Sequence, residues 1–135
     1  MVIQFEPLQE RLVRVDAVRR HLYLDKVRRS QAAWMAGRIP LTSLCNAAGN
    51  ALQAYASETL SALLNTSGGN HERRTAPWVR EAYLEAISNA AVAMRDTITD
   101  SEARHAVAQT LQARLLRAES QFLDARRTRP LAARH

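Results

Sequence analysis

Cysteine, glycine, proline and aromatic residues are all scarce in this sequence. A single cysteine, Cys45, in 135 residues excludes an intrachain disulfide and a cysteine-rich zinc site, and it is typical of a reducing compartment. No stretch is apolar enough to span a membrane, and the first seven residues lack the basic flank and apolar core of a signal peptide. The sequence therefore predicts a cytoplasmic protein without membrane contact.

β-Branched residues are also few, whereas alanine and leucine dominate and apolar positions recur at intervals of three and four residues. This period is that of helices, and it predicts four of them and no strand. The first runs from about Pro7 to Ala36, where Gly37 ends it before Pro40. The predicted fold is all-α: a four-helix bundle or a close variant with a long first helix.

The three later helices follow from a polar linker and a capping pattern. We expect the second helix over about 41–64 and the third over about 75–98. The segment Thr99–Glu102 has the pattern of a capping box, in which Thr and Glu side chains bond each other's free backbone amides and open the fourth helix. Residues 1–127 would form one helical-bundle domain that ends with this helix, and residues 128–135 a basic tail.

The apolar positions of the helices predict how they pack. One seam in the first helix is expected to face the core: Leu8, Leu12, Val15, Val18 and Leu22. The equivalent seam in the fourth helix consists of Val107, Leu111, Leu115, Ala118, Phe122 and Ala125. The second helix carries no charge from Ile39 through Ser57, so we expect its neighbours to enclose it on most sides.

Two histidine motifs have the residue types of reactive sites, and each has a simpler explanation. Glu102 and His105 have the Glu-x-x-His spacing of carboxylate-bridged di-iron bundles, but those sites need a second copy that this chain lacks. His71 and the residues that follow look like the phospho-acceptor box of sensor histidine kinases, yet here the histidine follows a glycine-rich loop. We therefore interpret Glu102 as a capping residue and expect no metal.

Two further candidates for catalysis are a carboxylate pair and the cysteine. Glu81 and Glu85 lie one helical turn apart, but acid–base work would require a buried pocket, and we expect this face to be solvated. Cys45 lies among apolar residues without a nearby histidine, which favours a small core residue over a nucleophile. The sequence thus predicts a protein that is not an enzyme and has no cofactor.

Positive charge is concentrated at both ends of the chain. Residues 1–40 carry eight cationic side chains against four acids, and residues 101–135 carry seven against three. Such clusters attract nucleic acid through its phosphates. The alternative is a solvated surface, because three arginines follow an acid by four residues, as Arg29 follows Asp25. The candidate phosphate-binding residues are Arg11, Arg19, Lys26, Arg28, Arg38, Arg114, Arg117, Arg126 and Arg127.

Part of the chain resembles the small all-helical subunit of type III CRISPR effector complexes. Arg38-Ile39-Pro40 is similar to an Arg-Leu-Pro step in that family, and a helix with similarly spaced Asn46, Gly49 and Leu52 follows it. Gln9-Glu10-Arg11 is similar to the family's opening, whereas its C-terminal aromatic residues have no clear counterparts. The resemblance implies a non-enzymatic filament subunit with a basic face along nucleic acid, to which Arg38 would contribute.

The helices carry more apolar surface than one four-helix core requires, which indicates a partner surface. We expect a homodimer or docking on a larger protein through the first and fourth helices. The expected function is that of a non-catalytic subunit of a larger assembly, with nucleic acid as a partner. The alternatives are a dimeric regulator, chaperone or adaptor that binds only protein, and, less favoured, a bundle that binds a ligand or metal without a motif. The candidate interface residues are Val13, Leu24, Val27, Leu116 and Leu123.

Overall fold

A computed structural model describes the backbone over residues 8–66 and 77–132 and the side chains over 18–64 and 77–122. Within these ranges the chain forms four helices and no strand: α1 (Leu8–Met35), α2 (Leu41–Thr66), α3 (Pro77–Asp96) and α4 (Ser101–Ala132). The predicted all-α bundle is confirmed. The first helix is long, at 28 residues, although α4 is longer, at 32.

The end of α1 is a Schellman motif, as the glycine in the sequence predicts. The N–H of Arg38 donates to the carbonyl of Ala33, and the N–H of Gly37 donates to that of Trp34, both at 2.9 Å. Gly37 has a φ of 75°, which is in the left-handed region that favours glycine. The chain therefore reverses directly into α2, whose first turn bonds to the Pro40 carbonyl.

The start of α4 differs by one residue from the predicted capping box. The Asp100 carboxylate accepts a 2.8 Å hydrogen bond from the N–H of Ala103, and its carbonyl accepts one from Arg104. Asp100 is therefore the N-cap residue, and the prediction of Thr99 and Glu102 as reciprocal caps is wrong. Thr99 and Asp100 are both residue types that cap helices. The tertiary contacts of Thr99, described below, decide that Asp100 is the N-cap residue.

The other end of α4 lies beyond its predicted position near Arg127. The helix continues to Ala132, with Pro130 inside its last turn. A proline removes one backbone donor and crowds the preceding turn. In the last turn of α4 few helical residues follow Pro130, so the loss of this one hydrogen bond does not prevent the helix from reaching Ala132. The prediction that the proline would terminate the helix is therefore wrong.

Helix α2 is the centre of the bundle. It packs against α1, α3 and α4, while α4 also packs against α3, and α1 makes a smaller contact with α3. This confirms that neighbours enclose the uncharged second helix on most sides, while one side, which includes Asn46, Asn50 and Ala54, is exposed. Helices α1 and α4 are not among the pairs that pack extensively, so the two basic helices lie at opposite corners of the bundle.

The core consists of large apolar side chains from all four helices and the loop before α4. Fully buried members include Leu44, Leu52, Tyr55, Val79, Ile87, Met94, Ile98 and Val107. A glycine brings α2 and α4 together: a Cβ added at Gly49 would lie 3.1 Å from a methyl carbon of Thr110 and 3.2 Å from Arg114. The fourth-helix seam is confirmed where side chains are described, since Val107, Leu111, Ala118 and Phe122 are buried and Leu115 is partly buried; Ala125 lies outside the described side chains.

Over its described side chains, which begin at Val18, helix α1 presents the opposite face from the one predicted; the side chains of Leu8, Leu12 and Val15 lie outside the described residues. Val18 and Leu22, two members of the expected core seam, are 66% and 58% exposed. The core side instead holds Tyr23, Val27 and Gln31. The predicted seam is apolar only in its first half. It continues into charged residues after Leu22, whereas the other stripe continues through Val27 to Trp34, which packs against the core.

A buried amide connects α1 to the loop between α3 and α4. Gln31 is 7% exposed; its Nε2 donates to the carbonyl of Thr97 at 3.1 Å, and its Oε1 accepts from the N–H of Thr99 at 2.7 Å. The Thr99 hydroxyl also bonds this oxygen, at 3.2 Å. The side chain thus replaces water for two backbone groups of the loop, and it holds the loop in the position that makes Asp100 the cap.

Candidate functional site on the first helix

The positive charge of the described part of the chain is concentrated on α1. Between Val18 and Met35 five cationic side chains accompany one carboxylate, and Arg38 follows in the next loop. Over the same side-chain ranges α2 carries one acid and no cation, and α3 carries three acids and two cations. In α4 the described side chains are three cations and two acids. Among the described side chains the largest cationic excess therefore belongs to the corner of the bundle that α1 forms.

The structure separates the predicted phosphate-binding residues into three groups. Lys26, Arg28, Arg38 and Arg117 are exposed. Arg19 and Arg114 are partly buried. The side chains of Arg11, Arg126 and Arg127 lie outside the described residues. Because α1 and α4 occupy opposite corners, Arg117 is not part of the surface that Arg28 and Arg38 form.

Arg114 has a structural role between two helices. Its guanidinium donates to Asn50 Oδ1 at 2.9 Å and also to Gln53 Oε1, both on α2. Its aliphatic part lies beside Gly49, where the two helices approach most closely. Two neutral acceptors hold this arginine, so its hydrogen-bonding capacity is partly used within the bundle and it is a weaker phosphate candidate than Arg28.

A tyrosine lies beneath the cationic surface, between α1 and α2. The Tyr23 ring makes an edge contact with Tyr55, with centroids 6.0 Å apart, and the Lys26 ammonium lies 5.1 Å from the Tyr23 ring centroid. Burial first, and then a hydrogen bond to the Glu58 carboxylate and its charge, raise the pKa of Tyr23, while Arg19 opposes the shift; the resulting pKa is about 12. The neutral phenol is therefore the form that suits this site.

The raised pKa of Tyr23 predicts a loss of stability at alkaline pH. A phenol whose pKa is higher in the folded state than its ordinary value of 10 contributes its full stabilisation below pH 10 and loses it as the pH rises through about 12. We expect the melting temperature of Tyr23→Phe to fall less over this interval than that of the wild type. Tyr83→Phe is the comparison variant, because burial also raises the pKa of Tyr83. Its melting temperature should likewise fall less between pH 10 and about 12 than that of the wild type. Equal slopes for the wild type and Tyr23→Phe would contradict the prediction.

The exposed apolar residues differ from the predicted interface. Val27 is fully buried and Leu24 packs partly buried against the core, so these two residues do not form an outward stripe. Leu116 is 60% exposed on α4, as predicted. The side chains of Val13 and Leu123 lie outside the described residues. Within the described side chains, the adjacent exposed pair on α1 is instead Val18 and Leu22.

The remaining motifs of the sequence do not converge on one site. His105 contacts Gln109 at 3.3 Å, and no group of three His, Cys, Asp or Glu side chains within the described residues is placed to hold a metal ion. Cys45 is a free, partly buried cysteine against the core. Glu81 and Glu85 are exposed on the outer face of α3. His71 lies outside the described residues.

Comparisons with known proteins do not identify relatives. No family model, no curated protein and no solved structure matches this chain. The resemblance to the type III CRISPR subunit stays a prediction from the sequence. In the part of the chain that the structure describes, every helix is too short or too polar to cross a membrane.

Proposed function

We propose that the protein is a non-catalytic subunit that acts by contact within a larger assembly and binds the phosphate backbone of nucleic acid through α1 and Arg38. The observation that carries this proposal is the excess of five cations over one carboxylate between Val18 and Met35, on a helix with one side open to solvent. Such a surface attracts polyanions by charge and by the release of counterions. The expected location remains the cytoplasm.

Arg28 and Arg38 are the residues on which this proposal depends most. Both are exposed, and no ion pair involves them among the described residues. Arg29 differs, because it forms a 2.7 Å ion pair with Asp25, one turn earlier. A pair between exposed side chains is weak, but it reduces the net charge that Arg29 offers to a phosphate.

Fluorescence anisotropy with a labelled single-stranded oligonucleotide tests the proposal. We expect binding at low salt that weakens steeply toward physiological salt and depends little on sequence, because such contacts are made to phosphates. Arg28→Glu should weaken binding about tenfold at low salt and reduce the salt dependence. Arg80→Glu is the matched control, since this exposed arginine lies on α3, and it should change binding by less than about twofold.

A contact with protein alone is the second candidate function. It is favoured by Val18 and Leu22, two large aliphatic side chains that lie one turn apart and are exposed. If the oligonucleotide does not bind even at low salt, the nucleic-acid proposal fails and this candidate remains. Equal weakening by Arg28→Glu and Arg80→Glu would mean that binding depends on net charge and not on α1.

A further inference from the structure

We propose that the outer face of α1 in one copy of the protein docks antiparallel on the outer face of α3 in a second copy. The proposal rests on the role of the protein as an assembly subunit and names its partner. Two surfaces carry the argument. The α1 strip consists of Val18, Leu22, Lys26 and Arg29, and the α3 strip consists of Glu81, Glu85, Ser88 and Val92.

Each strip lies on the outer side of its helix, and Lys26 is at the edge of the α1 strip, where its ammonium lies 5.1 Å from the Tyr23 ring centroid. The four residues of the α1 strip fall within roughly 80° of one another around the helix axis. The four residues of the α3 strip do so as well. All eight residues are exposed. Val18 and Leu22 have large exposed fractions, and Val92 is 46% exposed.

The two strips have the same length and opposite order of chemistry. Each spans eleven residue steps, about 16 Å along its helix axis. The α1 strip is apolar at its N-terminal end and carries Lys26 and Arg29 at its C-terminal end, where Asp25 lies on the same side of the helix and pairs with Arg29. The net charge of that end is therefore +1, whereas the α3 strip is acidic first and apolar last. A parallel alignment would set the apolar end of α1 against carboxylates.

An antiparallel alignment places one apolar residue against another and brings the cations of α1 to the carboxylates of α3. With Val18 opposite Val92, Leu22 falls opposite Ser88, and the basic end of α1 reaches the acidic end of α3. Lys26 then lies within one residue of the level of Glu85, and Arg29 is level with Glu81. Apolar burial at one end and charge attraction at the other are the two usual contributions to a specific contact.

Charge also decides which partner suits the α1 strip. A second α1 strip would bring a surface that is also cationic, with Lys26 and Arg29, which is less favourable than an acidic one. The face of α3 carries the opposite charge and its own exposed valine. Because the two strips are different surfaces, the contact is heterologous. Copies can therefore add one after another, and a chain of copies keeps one free strip at each of its two ends.

This contact leaves Arg28 and Arg38 accessible, whereas it covers Lys26 and Arg29, two of the five cations of α1. Arg28 lies six residues from Leu22, about 9 Å along α1 and roughly 120° around it, and Arg38 lies beyond the end of the helix. The two contacts therefore use different parts of the same corner. Self-association can be measured without nucleic acid, so either proposal can fail while the other stands.

Light scattering and sedimentation of the full chain, without nucleic acid, measure the association. We expect wild-type particles larger than twice 15.1 kDa that grow with concentration and shrink as salt is raised. Lys26→Glu should weaken the association at least about tenfold by facing Glu85, and Lys26→Glu combined with Glu85→Lys should restore it. A wild-type monomer at all concentrations, a closed dimer that does not grow, or no rescue by the double variant would overturn the proposal.

A mixing experiment separates this heterologous contact from a symmetric one. Leu22→Glu blocks the α1 strip, and Glu81→Arg with Glu85→Arg blocks the α3 strip. Each variant alone should be monomeric, and their equimolar mixture should give a dimer and nothing larger. A mixture that stays monomeric would overturn the proposal.

Leu116→Glu is the control, because Leu116 is exposed on α4, away from both strips. We expect it to leave association unchanged. Association that is lost with this variant and retained with Leu22→Glu would assign the contact to α4 instead. All these positions are exposed, so thermal unfolding should show folded variants. Loss of folding in Leu22→Glu would show that the chain itself covers this face, which also overturns the proposal.

Discussion

Val27→Glu is expected to prevent folding, or to lower the free energy of unfolding by more than about 4 kcal/mol. Val27 lies on the core side of α1 and is fully buried. A glutamate there must either bury a charge without a partner or take up a proton, and both options are costly against a total stability of roughly 5–15 kcal/mol. Thermal or urea unfolding followed by circular dichroism measures the effect.

Leu22→Glu is the matched control for this substitution, since it introduces the same side chain on the other face of α1. Leu22 is largely exposed, so we expect a change within about 0.5 kcal/mol at low protein concentration. Val27→Ala, expected to cost about 2 kcal/mol, measures the same site if the glutamate variant does not fold. The opposite order, with Leu22→Glu more damaging than Val27→Glu, would mean that α1 packs through the face that the sequence suggests.

Gln31→Leu is expected to have the second largest effect, a loss of about 2–4 kcal/mol. Leucine fills a similar volume but leaves the Thr97 carbonyl and the Thr99 N–H without the partners that the amide supplies. Both groups are partly buried, so water replaces the lost partners only in part, and the cost exceeds that of the hydrogen bonds alone. Gln109→Leu, on the exposed face of α4, is the control and should change stability by less than about 0.5 kcal/mol.

Gln31→Glu distinguishes loss of hydrogen bonds from loss of packing. Its carboxylate would face the Thr97 carbonyl, which raises the pKa of the introduced glutamate, whereas the protonated acid can donate to that carbonyl. The variant should therefore be most stable at acidic pH and lose stability as the pH rises through the raised pKa. A stability that matches Gln31→Leu at every pH would show that the hydrogen bonds contribute little.

Local sequence signals were sufficient to predict the helices and the enclosure of α2. Gly37 could be recognised because a Schellman motif is a local structure, and the uncharged stretch of α2 is visible without any knowledge of its neighbours. The predicted seam of α4 is correct from Val107 to Phe122, since its apolar residues continue over several turns.

The candidate site was harder to predict, because α1 carries two apolar stripes and the sequence alone does not rank them. The stripe through Val18 and Leu22 begins more regularly, but the other stripe reaches Gln31, whose amide lies in the core because two loop backbone groups need it. The shift of the cap from Thr99 to Asp100 has the same origin. A polar residue in an apolar stripe was the missing signal, and its partner is 66 residues away.

The close approach at Gly49 has a consequence for recognising divergent relatives of this chain. At that point the side chains of Thr110 and Arg114 on α4 lie against the backbone of Gly49. A larger residue at position 49 therefore requires a compensating change on α4. Gly37 is restricted for a different reason, its φ of 75°. A homologue whose surface has changed beyond recognition should still combine a glycine or asparagine at the first position with a small residue twelve positions later. That pair is a more durable signature of the ancestry of this fold than any of its charges.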